Sequence, residues 1–207
     1  MSVMVMEDGG LRERKKRETR LALSQATIRL ALERGFDDVS VDDIAAAANV
    51  SARTFRNYFT SKAEAVVAAH VERGHRIVEV LRERPADEPL WDAVTHAVLA
   101  QFEPPEGRTA SPAEQRYTSA LQRLLAEPAI RHEVQRAQLT SQDELVAAIA
   151  DRTGADTTDL YPQVVAAVTG TGLATAMAHW TRDPTRSLVS LLREVFAQIR
   201  TGLPEPR

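Results

Sequence analysis

The sequence predicts an all-α protein of about nine helices. Three observations carry that prediction. Alternating, β-branched runs bounded by turns are missing from the chain. Ala, Leu, Arg and Glu dominate, and these residues favour helix. Core-facing positions recur at helical spacing between well-marked stops, as in Leu23, Thr27, Leu30 and Ala31.

The elements follow in order. A first helix is expected over residues 12–34, closed by Gly35 at the position that needs a left-handed residue. Ser40 with Asp43 has capping-box spacing and opens a short helix over 41–48, apolar on the face of Ile44, Ala45 and Ala48. Asn49 can take the left-handed conformation that ends it. Ser51 caps a third helix over 52–59. Ser61 with Glu64 opens a long fourth helix that Pro85 stops near Arg84. Five more helices are expected near 88–102, 112–126, 128–152, 157–181 and 184–201. The breaks fall in "EPPEGRTASP", at Pro128, around Gly154 and at Asp183-Pro184. The Pro-, Gly- and Ser-rich segment 103–112 is expected to be mobile. The ends, 1–11 and 203–207, are expected to be disordered tails.

Composition bounds the function. The chain has 207 residues, 43% hydrophobic and 27% charged, and no cysteine. Disulfides and thiolate metal sites are therefore excluded. No apolar run approaches the roughly 20 residues that cross a bilayer. The start of the chain, with charges after a short apolar piece, is the reverse of a secretory signal, so a cytoplasmic protein is expected. The net charge of -3 is unevenly spread. Residues 1–62 hold 11 Lys/Arg against 9 Asp/Glu, and "RERKKRETR" over 12–20 is strongly cationic. A basic head before an acidic body hints at nucleic acid contact, although a solvated helix start looks the same.

The second and third helices are the informative pair. Two helices of about eight residues, joined by a tight turn at Asn49-Val50-Ser51, have helix-turn-helix dimensions. Val50 and Phe55 would fill the crevice between them. Arg53, Thr54, Arg56, Asn57 and Tyr58 then remain outside. A helix that enters a major groove about 12 Å wide must be narrow, exposed and polar. Arg can pair bidentately with guanine and Asn with adenine. The Thr54 and Tyr58 hydroxyls and Lys62 can hold phosphates and fix the register.

At these residues the chain resembles the TetR family of bacterial repressors. The match covers roughly residues 12–67. Gly35-Phe36, Ile44-Ala45, Val50-Ser51, Thr54-Phe55, Tyr58-Phe59 and Ser61-Lys62 fall in register. The resemblance implies an all-α homodimer with two parts. A three-helix DNA-binding domain over 12–60 would bind a palindromic operator. A helical effector-binding and dimerisation domain over 61–202 would release the DNA when a small molecule binds. Ser40, Thr54, Tyr58 and Lys62 would hold phosphates, with Ser51 at the helix cap beside them. Arg53, Arg56 and Asn57 would face bases. Lys15, Lys16 and Arg17 would lie near the backbone, or form an arm reaching the minor groove. The chain departs from the family at Asn49, where glycine is frequent, and at Arg56, where an aromatic is common. Arg56 reads equally as a base or a phosphate contact.

Outside the first third the resemblance is one of architecture. Val168, Gly172, Leu188, Leu192, Val195, Phe196 and Ile199 are expected at a dimer interface built from the last two helices. Trp91, Thr95, His96, Phe102, Tyr117, Leu121, Gln138 and Trp180 are expected around a pocket for a small, largely apolar effector.

Other chemistries lack their signatures. "TGTG" at 169–172 sits inside a helix and has no strand before it, so it is no phosphate loop. No serine elbow is present. His70 and His75 are five apart rather than the four that align two metal ligands on a helix, so no metal or cofactor is expected. No acid, base and nucleophile converge, which argues against an enzyme. The competing class is a helical ligand-binding or scaffold module without specific DNA binding. Such a module would not require Tyr58, Lys62 or the basic head.

Overall fold

The computed structural model describes residues 4–103, 112–183 and 185–203. The described residues form nine helices and no strand. They are α1 (Met4–Arg34), α2 (Val41–Ala47), α3 (Ala52–Tyr58), α4 (Lys62–Glu83), α5 (Leu90–Leu99), α6 (Pro112–Ala126), α7 (Pro128–Thr153), α8 (Leu160–Arg182) and α9 (Leu188–Arg200). Most of segment 103–112, and all but the first residue of 203–207, lie outside the described residues.

Several boundaries differ from expectation, among them α5, which spans Leu90–Leu99 rather than 88–102, and three others have a clear local reason. α1 begins at Met4 rather than residue 12. Extending an existing helix adds one hydrogen bond per residue, and this outweighs the cost of about 1 kcal/mol for each of Gly9 and Gly10. α8 begins only at Leu160, because Asp156 folds the preceding residues into a turn: its Oδ1 accepts from the Thr158 amide at 2.9 Å and the Thr158 hydroxyl at 2.7 Å. α9 begins at Leu188 for a similar reason. Asp183 accepts from the Thr185 amide at 3.0 Å, and Ser187 then caps the helix through the Ser190 amide at 3.1 Å.

The chain divides into two compact units, the first comprising Met1–His70 with Glu127–Val134 and the second Val71–Ala126 with Gln135–Arg207. The first unit runs past residue 60 because Ala65 and Ala68 of α4 pack in its core. That core gathers Leu23, Ala26 and Leu30 of α1, Ile44 of α2, Phe55 of α3, and Val39 and Phe59 from the connectors. The Phe55 and Phe59 rings meet tilted, centroids 5.5 Å apart.

The second unit closes around Ile77, Val78 and Leu81 of α4, Val94 and Val98 of α5, Ile149 of α7, Val165 and Trp180 of α8, and Leu192 and Phe196 of α9. α8 and α9 approach closely at Gly172, where an added Cβ would sit 2.8 Å from Ile199 Cδ1 and 3.3 Å from Val195 Cγ1. Arg152 of α7 ties the end of α4 to the start of α5, donating to the carbonyls of Arg84 (3.2 Å), Pro85 (2.5 Å) and Glu88 (2.7 Å). The Arg84 and Pro85 carbonyls lie just past the end of α4, where a helix leaves acceptors without intrahelical partners.

Candidate nucleic-acid interface

The turn between α2 and α3 sets the geometry. Asn49 has φ 55°, the left-handed conformation its short polar side chain tolerates. The Val50 amide reaches back to the Ala45 carbonyl at 2.9 Å, and the Asn49 amide to Ala46 at 3.1 Å. This pair of bonds is a Schellman closure of α2, and Val50 packs against the core of the first unit. Ser51 then starts α3 by accepting from the Thr54 amide at 3.0 Å. Phe55, 1% exposed, anchors α3 in the core.

With Phe55 inward, Arg53, Arg56 and Asn57 are all exposed. Their spacing of i, i+3 and i+4 puts them on one face. The ring of Tyr58 is half-buried against the core. Lys15, Lys16 and Arg17 are exposed on α1. Arg20, which sequence reasoning passed over, places that basic run. Its guanidinium lies 4.8 Å from the centroid of the Phe59 ring and 3.9 Å from a Glu64 carboxylate oxygen. Lys16 and Arg17 share its helix face one turn earlier. A mixed-charge sequence signals only a solvated helix; the ring contact gives it a direction.

The Ser40, Ser51 and Thr54 hydroxyls, expected at phosphates, are engaged inside the unit. Ser40 donates both its hydroxyl and its amide to Asp43, whose backbone amide donates back to Ser40 Oγ at 3.1 Å. These bonds from Ser40, its hydroxyl first, hold the Asp43 carboxyl below the usual carboxylate range. The capping box leaves Ser40 no donor for a phosphate. Ser51 and Thr54 share one bond between their hydroxyls at 2.8 Å, so one of the two O–H groups remains to donate.

Lys62 departs furthest from expectation. Its ammonium donates to the carbonyls of Val39 at 2.6 Å and Phe36 at 2.8 Å, with that of Asp37 at 3.5 Å, and it lies over the Phe36 ring. The three donors of an ammonium are thus directed at the α1–α2 connector. At the same end of α4, Ser61 accepts from the Glu64 amide, but Glu64 returns its carboxylate to Thr60, at 2.7 Å to the amide and 2.8 Å to the hydroxyl. The reciprocal half of the cap therefore goes to Thr60 instead of Ser61.

The other expected sites are only partly gathered. Leu192 and Phe196 are 0% and 1% exposed, and Gly172 is buried against α9. These three belong to the core of one protomer and cannot form a surface. Leu188, Val195 and Ile199 pack partly against the same core. Both faces of α9 carry apolar residues, so sequence could not say which one turns inward. Exposed apolar area lies instead on α8, at Leu160, Tyr161 and Val164, with Val168 half-buried one turn on. Among the effector candidates, Trp91, Phe102 and Leu121 pack against the core of the second unit, and Trp180 lies within it. Thr95 spends its hydroxyl on the Trp91 carbonyl at 2.6 Å. His96 and Tyr117 are exposed, so they line no interior of a single protomer. Gln138 lies outside the described side chains. Two features of this unit were not read from sequence: buried Gln122, which donates to the Trp180 carbonyl at 2.9 Å, and half-buried Arg73, stacked on Phe102.

No described helix is long and apolar enough to cross a membrane. An exposed Arg-Arg-Asn face on a second helix, fixed by a tight turn and flanked by basic residues, defines a DNA-binding protein of the helix-turn-helix class. Comparison with known proteins gives the family. Residues 23–69 match the model of bacterial regulatory proteins of the TetR family, and residues 88–204 match the MftR C-terminal domain. The chain is 30% identical over 195 residues to MftR of Mycobacterium tuberculosis, named as a mycofactocin biosynthesis transcriptional regulator, covering 92% of this chain and 93% of that one. In fold it resembles a TetR-family transcriptional regulator of Syntrophomonas wolfei, with a TM-score of 0.57 at 16% identity over 93% of this chain and 100% of that one. It also resembles FadR of Bacillus subtilis, solved in complex with stearoyl-CoA, with a TM-score of 0.52 at 15% identity over 88% and 98%. The chain belongs to the TetR family and is a ligand-responsive, DNA-binding transcriptional regulator.

Proposed function

We propose that the protein is a repressor that binds an inverted-repeat operator as a homodimer and is released by a small, largely apolar effector. The observation that carries the DNA half is the exposed face of Arg53, Arg56 and Asn57 on α3. On this reading those three residues read bases. Lys15, Lys16, Arg17 and the Ser51–Thr54 hydroxyl pair hold phosphates, and Tyr58 braces the helix from its half-buried side. The DNA-binding domain is residues 12–60, supported by the first nine residues of α4, and the remainder binds effector and dimerises. The exposed stripe of Leu160, Tyr161 and Val164, continued by Val168, supports a two-fold contact along α8. The apolar surroundings of Trp91, Phe102 and Leu121 support an apolar effector, and the acyl chain held by FadR is a sensible first compound to try.

The test separates two kinds of interaction with DNA. Arg53→Ala or Asn57→Ala should relax preference at particular base pairs, by about 1–3 kcal/mol for each bidentate pairing with a base that is removed. Lys15→Ala and Lys16→Ala should instead weaken binding to every sequence, each lowering the salt slope by about 0.9. Quantitative gel shift on a panel of single-base operator variants, at two salt concentrations, distinguishes them. Uniform weakening by the α3 variants would remove α3 as the reading helix.

A further inference from the structure

Among the described residues of the second unit, Arg73 is the half-buried cation without an oxygen partner. It is half-buried on α4, and its guanidinium lies over the Phe102 ring, 4.8 Å from the centroid. Phe102 packs against the apolar core, and Ile77, one turn along the same face of α4, belongs to that core.

The contrast with the other half-buried cations is informative. Arg20 faces Glu64, Lys62 has three carbonyls, Arg84 has Glu88 at 2.7 Å, and Arg152 has three carbonyls. Among the described residues no carboxylate lies within ion-pair distance of Arg73. The nearby acids are committed elsewhere: Glu103 to Arg193 at 2.5 Å, and Glu144 to His75 at 2.6 Å. Glu72 and Glu79, at one and six residues from Arg73, point away from its face of the helix. The groups on that face are His70 and Arg76, which offer no negative charge. Burial, with repulsion from Arg76, lowers the Arg73 pKa below the ordinary guanidinium value. A desolvated charge without a partner is costly, and an anion would relieve it. An aromatic ring beneath a guanidinium fixes its plane and leaves its in-plane N–H groups for a carboxylate or phosphate.

We infer that Arg73, held on the Phe102 ring, binds the anionic head of the effector. The effector is then an amphiphile, an apolar chain ending in a carboxylate or phosphate. The inference rests on the effector reading above and specifies its ligand class.

Isothermal titration of the full-length protein with dodecanoate, dodecyl phosphate and dodecanol, below their micellar concentrations, tests it. The wild type should bind at least one of the two anions about tenfold or more tighter than the alcohol, and which anion wins tells carboxylate from phosphate. Arg73→Met should erase that preference and keep the affinity for dodecanol, which also reports that the variant is folded. Arg73→Lys should keep part of the preference. Equal binding of all three by the wild type, or an anion preference that survives in Arg73→Met, would overturn the anion site and leave the apolar-effector reading standing. Binding of none of the three would overturn both.

Discussion

Replacing Phe55 by alanine is expected to destabilise the first unit by about 3–5 kcal/mol and to abolish specific DNA binding at room temperature. Phe55 is 1% exposed and is the anchor of α3; its ring meets Phe59 at 5.5 Å. α3 is seven residues long, too short to persist in water without such an anchor. A unit of this size has only about 5 kcal/mol or so to lose. Losing the ring therefore removes most of its stability and the orientation of Arg53, Arg56 and Asn57 together. Chemical denaturation followed by circular dichroism measures the first effect, and gel shift the second. Phe55→Leu, which keeps much of the volume, should retain a folded unit and measurable binding. A Phe55→Ala protein within about 1 kcal/mol of wild type would mean that α3 is held by something other than this core.

Lys62→Met is expected to weaken binding to every sequence by a similar factor while leaving the salt slope unchanged. A lysine that neutralised a phosphate would do otherwise: its loss would reduce the slope by about 0.9. The distinction follows from where the ammonium points. With donors on the carbonyls of Val39 and Phe36, Lys62 holds the connector whose next residue, Ser40, starts α2. Bonds between a charged donor and buried carbonyls contribute about 1.5–3 kcal/mol, so the variant should lose about 2 kcal/mol of stability. Its weaker binding then reflects misplacement of α2 and α3. A flattened slope with unchanged stability would return Lys62 to the residues that hold phosphates.

What could be read from sequence divides along physical lines. The helices were legible because their stops are chemical: Gly35 and Asn49 at left-handed closures, and Ser51 at a side-chain cap. The exposed face of α3 was legible because one large apolar residue, Phe55, fixes which side turns inward. Lys62, Ser40 and Leu192 were harder for a common reason. A lysine, a serine or a leucine has the same sequence signature whether its partner is DNA, a second protomer or its own chain. Only the position of the connector carbonyls, of Asp43 and of the Phe196 side of α9 decides between them. Arg73 was not legible because a lone arginine in a helix carries no periodic signal; its meaning lies in the absence of an acid around it.

The central claim, sequence-specific binding by an α3 face that is presented twice, is tested most directly by selection from a random double-stranded DNA pool with the purified protein, followed by sequencing. The account predicts enrichment of an inverted repeat whose half-sites lie about one helical turn, or a multiple of it, apart. Folded protein that enriches no sequence, or only an unpaired half-site, would contradict it.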